Sequence, residues 1–523
     1  MGSAARERAV VIGAGVGGLA AAARLARAGL AVTLLDRHPW PGGKMRTLPS
    51  PAGPVDAGPT VVTMKPVFEA LFADCGARID DHVTLVPEPL LARHYWPDGA
   101  MLDLFAESEA SAAAVRGFGG ARAEADFRAF SATAGRLYRA FDAPMMRAPR
   151  PRPLRLALAA LTRPGLLPML LPGRSLAGLL GRRFADPRLA QLFGRYATYV
   201  GGSPYLSPAV LGLIWHSEAR GVWRVEGGMH RLAAAMLALA EALGVEAELG
   251  IGAEKIEVRD GRAVAVHTAD GRRLLADRVV FNGDPRALAE GLLGQGARAA
   301  VARRATEPRS HSAYVWAFAA TPSGRALAHH TVFFGADPRS EFDALAAGRP
   351  PEDPTLYLCA EDRGSGLTPP ATERFEIIMN GPPLTGGAPE EEPRCRTRVF
   401  DTLAARGLSF APAPPPAALT DPARFAALFP GSAGSLYGPS PHGLTTPFSR
   451  PVARTRVAGL YLAGGGVHPG AGIPMATLSG RHAAEAIFQD RASTWPFRRT
   501  ATPGGTSTGS RTTVPARSRS SAS

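Results

Sequence analysis

Lysine and cysteine are scarce in this chain of 523 residues, and their scarcity narrows the kinds of site it can hold. The three cysteines, Cys75, Cys359 and Cys395, stand far apart, without the paired spacing of a zinc site or a C-x-x-C redox motif. The sequence therefore predicts reduced thiols in a reducing compartment, and no metal centre. Lysine occurs only at positions 44, 65 and 255, so arginine carries nearly all of the positive charge.

The net charge of +14 does not indicate a nucleic-acid-binding protein. Six of the arginines lie in residues 491–523, which contain no acidic residue, and no basic stripe interleaved with aromatic residues occurs elsewhere. The sequence therefore predicts no nucleic-acid partner. Residues 491–523 consist mainly of Ser, Thr, Arg, Gly and Pro, and we predict that this tail is disordered because it lacks apolar residues.

Uninterrupted apolar runs of 18 residues are absent, so the sequence predicts no membrane-spanning helix. An apolar strand is expected to begin by residue 9, which leaves no room for a signal peptide before it. Hydrophobic residues nevertheless make up 46% of the chain. This content and the length of the chain predict more than one domain with substantial cores.

The chain opens with a predicted strand, a glycine-rich turn and an alanine-rich helix, in the sequence AVVIGAGVGGL at 9–19. Gly13 is expected to make the tight turn, Gly15 to let a pyrophosphate approach the backbone, and Gly18 to let helix and strand pack closely. A second apolar run ends on Asp36, whose carboxylate can accept hydrogen bonds from ribose hydroxyls. The complete unit predicts an adenine dinucleotide site, the alternative being an ordinary glycine turn. It leaves NAD and FAD both open.

Two further glycine-containing segments follow Asp36, PGGKMRT at 41–47 and VDAGPT at 55–60. Their glycines allow a ligand to approach the backbone closely. Lys44 and Arg46 can meet phosphates or the negative charge of a reduced flavin. The alternative is a surface loop with two solvated cations. We interpret these segments as favouring FAD over NAD.

Residues 143–185 hold eight arginines and no acidic residue, interspersed with leucines and broken by Pro164, Pro168 and Pro172. A basic, leucine-rich segment of this kind is typical of the interface of an anionic membrane. The alternative is a helical cap whose leucines pack inward and whose arginines face water. We expect membrane contact, because a plain soluble cap would carry both signs of charge.

The closing residues 459–475 (GLYLAGGGVHPGAGIPM) complete a set of motifs that resembles the flavin-dependent carotenoid desaturases of the phytoene dehydrogenase type, over residues 8–490. The stretches GKMRTLPS, PVDAGPTV, HHTVFF and IPM make the chain most similar to the 1-hydroxycarotenoid 3,4-desaturases of that family. Asp36 replaces the commoner Glu, and Ala253 stands where a Val often lies against the adenine. The resemblance implies FAD as cofactor, bound by Gly13, Gly15, Gly18, Asp36, Gly42, Gly43, Lys44, Met45, Gly58, Pro59, Thr60, Gly464, Gly465, Ile473, Pro474 and Met475.

The resemblance also implies an α/β fold: a Rossmann-type FAD-binding domain of the glutathione-reductase/amine-oxidase kind, an interleaved mixed-sheet substrate domain and a helical membrane-facing cap. The predicted FAD-binding domain is discontinuous and comprises residues 5–80, 225–300 and 455–490. Residues 81–130 and 301–454 are assigned to the substrate-binding domain, and residues 131–224 to the cap. Asp260-Gly261 and Asp270-Gly271, between alternating apolar runs, predict hairpins.

The implied reaction introduces a C3–C4 double bond into an acyclic 1-hydroxy or 1-methoxy carotenoid, by hydride abstraction from C4 and proton loss from C3. The polyene itself delocalises the cation, so no acid–base dyad is required and no catalytic residue is predicted. His468 is either a base or a structural histidine, and His329 and His330 line the substrate tunnel or lie on a strand edge. We expect some of seven aromatic residues to form tunnel walls: Tyr196, Tyr199, Trp215, Trp223, Trp316, Phe333 and Phe334.

A linear C40 lipid is insoluble in water. The expected enzyme is therefore peripheral, on the cytoplasmic side of the bacterial inner membrane, and takes a hydrophobic carotenoid from the bilayer. The oligomeric state is left open. The alternatives are a phytoene desaturase or carotenoid isomerase of the same family, an amine- or porphyrinogen-oxidase-like flavoenzyme, and a non-enzymatic prenyl-lipid chaperone on the same fold.

Overall fold

The computed structural model describes residues 6–162, 174–385, 391–443 and 446–494. Its strands, in chain order, are β1 Arg8–Ile12, β2 Ala31–Asp36, β3 Thr47–Leu48, β4 Val55–Asp56, β5 Leu85–Glu88, β6 Leu90–Tyr95, β7 Met101–Phe105, β8 Val222–Val225, β9 Glu246–Leu249, β10 Ala253–Arg259, β11 Arg262–Thr268, β12 Arg273–Leu275, β13 Arg278–Phe281, β14 Ser312–Gly324, β15 His330–Phe333, β16 Leu356–Ala360, β17 Glu373–Gly381, β18 Leu408–Ala411, β19 Leu419–Thr420 and β20 Leu460–Leu462.

The α-helices, in chain order, are α1 Val16–Arg27, α2 Pro66–Asp74, α3 Ser108–Phe141, α4 Pro153–Leu161, α5 Leu176–Arg183, α6 Pro187–Gly194, α7 Leu213–Ala219, α8 His230–Ala242, α9 Pro285–Ala289, α10 Pro338–Ala346, α11 Glu392–Ala405, α12 Pro422–Leu428, α13 Thr446–Ser449 and α14 Ile473–Thr494. Short 3-10 helices span Ile79–Asp81, Arg195–Val200, Ala209–Gly212, Gln295–Ala300, Arg303–Ala305 and Pro416–Ala418, and a π-helical turn spans Asp142–Met146.

A five-stranded parallel sheet, in the order β20-β13-β1-β2-β9, underlies the glycine fingerprint. Its strands come from all three segments that the sequence assigns to FAD binding. The apolar run of β1 is buried after its first residue, as expected for a strand covered on both faces. Helix α14 packs tightly on α1, since a Cβ at Gly480 would lie 2.2 Å from the carbonyl oxygen of Gly17.

Both predicted hairpins are present in a three-stranded antiparallel sheet, β10-β11-β12. Asp260 and Gly261 join β10 to β11 with φ angles of 49° and 73°. Gly271, at φ 85°, lies in the second turn. A tight hairpin requires left-handed backbone, which Asp-Gly adopts readily, and these turns can therefore be predicted from the sequence.

An eight-stranded mixed sheet forms the second layer, in the order β18-β14-β17-β16-β15-β6-β7, with β19 paired to β14. The pair β15–β6 is parallel and its neighbours are antiparallel. The sheet combines β6 and β7 with strands from beyond residue 311, so it brings together the two segments that the sequence assigns to substrate binding. Its core contains the fully buried rings of Trp316, Phe318, Phe333 and Phe375.

The helical region begins earlier than predicted. The expected boundary between residues 130 and 131 falls inside α3, which runs from Ser108 to Phe141. Gly120, at φ 79°, kinks this helix without ending it. Two leucines of the basic segment, Leu176 and Leu180 on α5, are fully buried in the helical core, so the inward-packing alternative holds for them. Residues 163–173 of that segment lie outside the described residues.

The prediction that disorder begins at residue 491 is wrong for 491–494, because α14 continues to Thr494. Arg491 pairs through Nε with Glu7 Oε2 at 2.8 Å, and a cation in the last turn interacts favourably with the helix dipole. Residues 495–523 lie outside the described part of the chain. Within that described part, the helices are all too short or too polar to traverse a bilayer.

Candidate functional site

A cavity of about 870 Å³ begins at the carboxyl ends of the parallel strands and continues to the mixed sheet and the helical region. It is lined by fourteen of the predicted site residues: Gly13, Gly15, Asp36, Gly42, Gly43, Lys44, Met45, Gly58, Pro59, Thr60, Gly464, Gly465, Ile473 and Pro474. Motifs that lie more than 400 residues apart in the chain thus meet at one wall. A crevice at this edge of a parallel sheet is where α/β proteins bind nucleotides.

Two predicted residues, Gly18 and Met475, do not line the cavity. A Cβ at Gly18 would lie 2.0 Å from the carbonyl oxygen of Gly13, so this glycine serves the close packing of α1 on the turn. Gly13 itself makes the turn at φ 104°, and its N–H donates to Leu35 O at 2.7 Å. Met475 is half-buried on the first turn of α14, and its neighbours Ile473 and Pro474 face the cavity instead.

Asp36 ends β2 with its carboxylate buried beside the fingerprint turn. One oxygen accepts the N–H of Ala14 at 2.7 Å and the other accepts the N–H of His38 at 2.8 Å. Burial raises the pKa of this carboxyl, and the two backbone donors act against the rise. Because a carboxylate oxygen has two lone pairs, each can still accept a ribose hydroxyl, so the ribose role stays a prediction.

Of the two cations in the loop at 41–47, only Lys44 reaches the cavity. Its Nζ donates to Leu436 O at 2.6 Å, and burial lowers its pKa to about 8, against the attraction of Asp284. Arg46 does not line the cavity and donates to the hydroxyl of Thr420, in the mixed sheet. Burial lowers the pKa of Arg46 to about 10. The expectation that Arg46 meets phosphate or flavin is therefore wrong.

Asp56 links its own segment to helix α8. Its carboxylate accepts the N–H groups of Met229 and His230, which ties the 55–60 segment to the start of α8. The backbone N–H of Asp56 in turn donates to Glu361 Oε1 at 2.6 Å. Burial, together with the charge of Asp56, raises the pKa of Glu361 to about 8 and that of the fully buried Glu376 well above its ordinary value. The loop at 58–60 therefore lies over buried carboxyl groups.

Asn282 is a cavity residue that sequence reasoning missed. It follows β13, and its Nδ2 donates to Gly13 O at 3.1 Å. Its buried Oδ1 has no partner among the described residues. A Cβ at Gly17 would lie 2.6 Å from that oxygen, and one at Gly464 would lie 3.0 Å from it. Its position, directly after a central strand of the parallel sheet, is the sequence feature that could have predicted it as a cavity residue.

His468 lies away from the cavity, so the structural interpretation holds. Its Nε2 donates to Ala148 O at 2.8 Å, which ties the closing segment to the helical region. Burial lowers its pKa to about 4. The imidazole is therefore neutral at physiological pH and anchors the loop.

The cavity has two arms: the first is lined by the glycine motifs, and the second, the far arm, lies between the mixed sheet and the helical region. The far arm contains a polar cluster of Arg195, Tyr199 and Glu218. Tyr199 donates to Glu218 Oε2 at 2.7 Å, and Tyr196 donates to Glu218 Oε1 at 2.7 Å. An Arg195 terminal nitrogen donates to the Tyr199 oxygen at 3.4 Å, and its guanidinium carbon lies 5.2 Å from the centre of that ring. The Tyr199 hydroxyl thus bridges a half-buried cation and a buried carboxylate.

A second polar chain starts at Thr60. Its hydroxyl hydrogen-bonds to Tyr357 Oη at 2.7 Å, and that oxygen lies 2.7 Å from His330 Nδ1. Thr60 and Tyr357 line the cavity, whereas His329 and His330 do not. His329, His330 and Cys359 each have an atom that could bind a metal, and these atoms lie within 4.8 Å of one another. The Nδ1 atom of each histidine is already hydrogen-bonded, however. The predicted absence of a metal stays a prediction.

Only Tyr199 of the seven predicted wall aromatics lines the cavity. The other six pack in hydrophobic cores: Tyr196, Trp215, Trp223, Trp316, Phe333 and Phe334. Five aromatic residues outside the predicted set also line the cavity: Phe281, Tyr357, Phe425, Phe429 and Tyr437. The last three belong to α12 and the loop after it, and no local pattern marks them as cavity residues.

The family model described as flavin containing amine oxidoreductase matches residues 16–316 of this chain. The fold is also that of cyclohexylamine oxidase from Brevibacterium oxydans, with a TM-score of 0.57 at 16% identity over 93% of this chain and 100% of that structure. These comparisons define the class as an amine-oxidase-type FAD-binding oxidoreductase with a mixed second sheet.

Two relatives, both called hydroxyneurosporene desaturase, are much more similar. The protein of Cereibacter sphaeroides is 58% identical over 92% of this chain and 98% of its own length. That of Rhodobacter capsulatus is 53% identical over the same shares. The chain therefore belongs to the carotenoid desaturases. It is an FAD-dependent oxidoreductase of carotenoid biosynthesis, and the chaperone, isomerase and phytoene desaturase alternatives are not favoured.

The residues at the cavity fit FAD. Gly15 and Gly43 leave bare backbone at the N-terminus of α1, where N–H groups and the helix dipole favour a pyrophosphate. A Cβ at Gly465 would meet only Ala471 Cα, at 3.9 Å, so its cavity face is open. Asp36 lies where a ribose hydroxyl donor is expected, and Lys44 supplies a cation.

Proposed function

We propose that this enzyme introduces a C3–C4 double bond into an acyclic carotenoid that carries a hydroxyl or methoxy group at C1. The observation that carries the proposal is one cavity whose first arm is lined by glycine backbone and whose second arm has apolar walls that include Val61, Val315 and Ile378. Such a second arm suits a long hydrocarbon rather than a polar amine. The names of the two most similar relatives described above support the same substrate class.

In the proposed reaction, C4 loses a hydride, C3 loses a proton, and the two remaining electrons form the new double bond. FAD, when bound, supplies the two-electron acceptor for the hydride. Gly42, Gly43 and Lys44, with Gly464, Gly465 and Pro474, would hold it along the cavity. The surrounding residues position the hydrocarbon and exclude bulk water. The polyene stabilises the developing cation itself, so water or a weak base suffices for the proton.

The product spectrum tests this function. Purified protein, FAD and liposomes are incubated with 1-hydroxyneurosporene and, separately, with phytoene. We expect the absorption of the hydroxylated substrate to shift to the red by one conjugated double bond, with phytoene unchanged. Conversion of phytoene would assign the protein to the early desaturases instead. No change with either substrate would contradict the proposed desaturation.

We also propose that α4 contacts the cytoplasmic surface of the bacterial inner membrane, from which the substrate enters. Leu154 and Leu158 are four residues apart, so they share one face of the helix, and they are 87% and 60% exposed. Arg150, Arg152 and Arg155 are exposed beside them, without a carboxylate partner among the described residues. Exposed leucines flanked by unpaired arginines match the interface of an anionic bilayer.

Sedimentation with liposomes tests this contact. Wild-type protein is expected to sediment with phosphatidylglycerol liposomes more than with phosphatidylcholine liposomes. The double variant Leu154→Glu/Leu158→Glu should lose this association and keep its FAD. A matched control, Leu206→Glu/Leu275→Glu, replaces leucines that are 53% and 45% exposed elsewhere and should sediment as wild type. Equal sedimentation of both double variants would contradict a specific role for α4.

A further inference from the structure

We infer that Arg195 binds the oxygen at C1 of the substrate, so that the far-arm polar cluster selects carotenoids with a polar group at that end. This inference rests on the proposed function, because it takes a C1-oxygenated carotenoid as the substrate. A hydrocarbon has no atom to which the charged side chains of this cluster could hydrogen-bond. Placing a cation and a carboxylate in such an arm is costly unless a ligand or neighbouring groups compensate them.

Arg195 has donors to spare. A guanidinium carries five N–H donors, and in the described residues this side chain makes one hydrogen bond, the 3.4 Å contact with Tyr199. Its Nε is buried and has no partner among those residues. Buried donors without partners are uncommon in folded proteins and call for an explanation such as a ligand. An alcohol or ether oxygen is an acceptor that these donors can use.

The cluster is held ready for a ligand. Tyr196 and Tyr199 fix the two oxygens of Glu218, and the Tyr199 hydroxyl lies between Glu218 and Arg195. Although burial alone would lower the pKa of Arg195, the oxygens of Tyr199 and Glu218 raise it above its ordinary value. The guanidinium is therefore charged throughout the physiological range. Because Glu218 balances it, the pair adds little net charge near a substrate that becomes positive as hydride leaves.

The position of the cluster matches the chemistry of the substrate. C1 and C4 are three bonds apart, so an oxygen on C1 lies within roughly 5 Å of the carbon that loses hydride. A group that binds this oxygen must therefore lie close to the flavin end of the second arm. Thr60, directly after the predicted flavin-binding residues Gly58 and Pro59, hydrogen-bonds to Tyr357.

The two polar chains of the cavity also lie against the same hydrophobic cluster, since Tyr199 and Tyr357 both pack on it. Both tyrosines line the cavity. The cluster on the helical side and the chain that starts at Thr60 therefore face the same part of the cavity. This is the region in which C1 and C4 must both lie.

The test compares two substrates that differ only in the hydroxyl group, 1-hydroxyneurosporene and its deoxy analogue 1,2-dihydroneurosporene, in the same liposomes. For Arg195→Met we expect kcat/KM for the hydroxylated substrate to fall 10- to 100-fold and that for the deoxy analogue to change less than about threefold. Arg195→Lys should recover part of the loss, since it restores a donor. The ratio of the two kcat/KM values is independent of the active fraction, so partial misfolding cannot mimic the effect.

Arg339→Met is the matched control, because Arg339 also stacks on a tyrosine, Tyr205, at 4.6 Å, outside the cavity. It should keep the wild-type ratio. Affinity for both carotenoids, from quenching of tryptophan fluorescence, gives a second readout that does not depend on turnover. A parallel loss for both substrates in Arg195→Met, or an unchanged ratio, would overturn the inference and leave the proposed function standing. A wild type that desaturates neither substrate would overturn both.

Discussion

The two arms of the cavity differ in the groups that line them, backbone in one and side chains in the other. The first arm is backbone: glycines from three chain segments expose N–H groups at the end of a parallel sheet. The second arm is side chains: Arg195, Glu218 and Tyr357 come from a 3-10 helix, an α-helix and a strand of another sheet. A backbone site depends on the absence of Cβ atoms, whereas a side-chain site depends on hydrogen bonds and paired charges. The two arms should therefore fail in different ways.

The largest expected effect is in the backbone arm. Gly18→Ala places a Cβ 2.0 Å from the carbonyl oxygen of Gly13, and neither backbone can move without opening the turn. We expect a loss of about 3 kcal/mol in unfolding free energy and failure to retain FAD. Denaturant titration and the flavin content of the purified protein measure this.

Gly181→Ala, on helix α5, is the control for that substitution. A Cβ there meets nothing within 4 Å, and alanine favours a helix over glycine, so stability should be unchanged or slightly higher. If Gly18→Ala retained FAD and wild-type stability, close packing at the turn would not explain why glycine stands at this position.

In the side-chain arm, Glu218→Gln should cost less and leave FAD in place. The substitution keeps the shape but removes the charge that balances Arg195, and it leaves one tyrosine hydroxyl without its acceptor. We expect a loss of about 2 kcal/mol in unfolding free energy. The measurement is the denaturant midpoint of the FAD-bound protein, with Glu226→Gln, an exposed site, as control. A stability equal to that of the control would mean that Arg195 needs no balancing charge.

The contrast between the arms also explains what the sequence could predict. Gly13, Gly15 and Asp36 act within one strand–turn–helix–strand unit, so their spacing alone fixes their geometry. The hairpin turn at Asp260-Gly261 could be predicted for the same reason, since a tight hairpin is a local structure. The closing segment was recognisable because its resemblance to a family joins distant parts of the chain.

Side-chain direction was not predictable from these patterns. Arg46 follows the flavin motif directly, yet its partner is Thr420, nearly four hundred residues later in the chain. Arg195, Tyr199 and Glu218 meet only because the helices around them pack as they do. The sequence predicted that some of seven aromatic residues line the cavity but not which, because an aromatic residue has the same sequence pattern whether its ring faces a core or a cavity. Tyr199 is the one of the seven that lines it.

Lys44 combines features of both arms, since it is a charged side chain that a glycine-rich loop places in the cavity. Lys44→Met should weaken FAD binding about tenfold, because it would remove a cation from the predicted dinucleotide site, where burial strengthens its attraction for phosphate. Since the pKa of Lys44 is about 8, the wild-type affinity should fall as pH rises above about 8, and that of the variant should not.

Titration of apoprotein with FAD, followed by flavin fluorescence, measures both effects. Lys255→Met is the natural control, because Lys255 is an exposed lysine that does not line the cavity. Identical affinities for the two variants across the pH range would show that the charge of Lys44 is not used in binding.

The smallest expected effect lies behind the loop at 58–60, at Glu361. Its folded-state pKa of about 8 lies above its ordinary value of 4.5, so the folded protein binds a proton that the unfolded chain releases between these values. Stability should therefore fall as pH rises from about 4.5 to 8, and Glu361→Gln, which mimics the protonated form, should flatten that fall. We expect a difference of about 1 kcal/mol between the two proteins in the change from pH 7 to pH 8. Denaturant titrations at both pH values measure the unfolding free energies, with Glu241→Gln, at an exposed site, as control.

If Glu361→Gln lost as much stability with pH as wild type, the proton would reside on another group of the buried cluster, and Glu376→Gln would be the next variant to titrate.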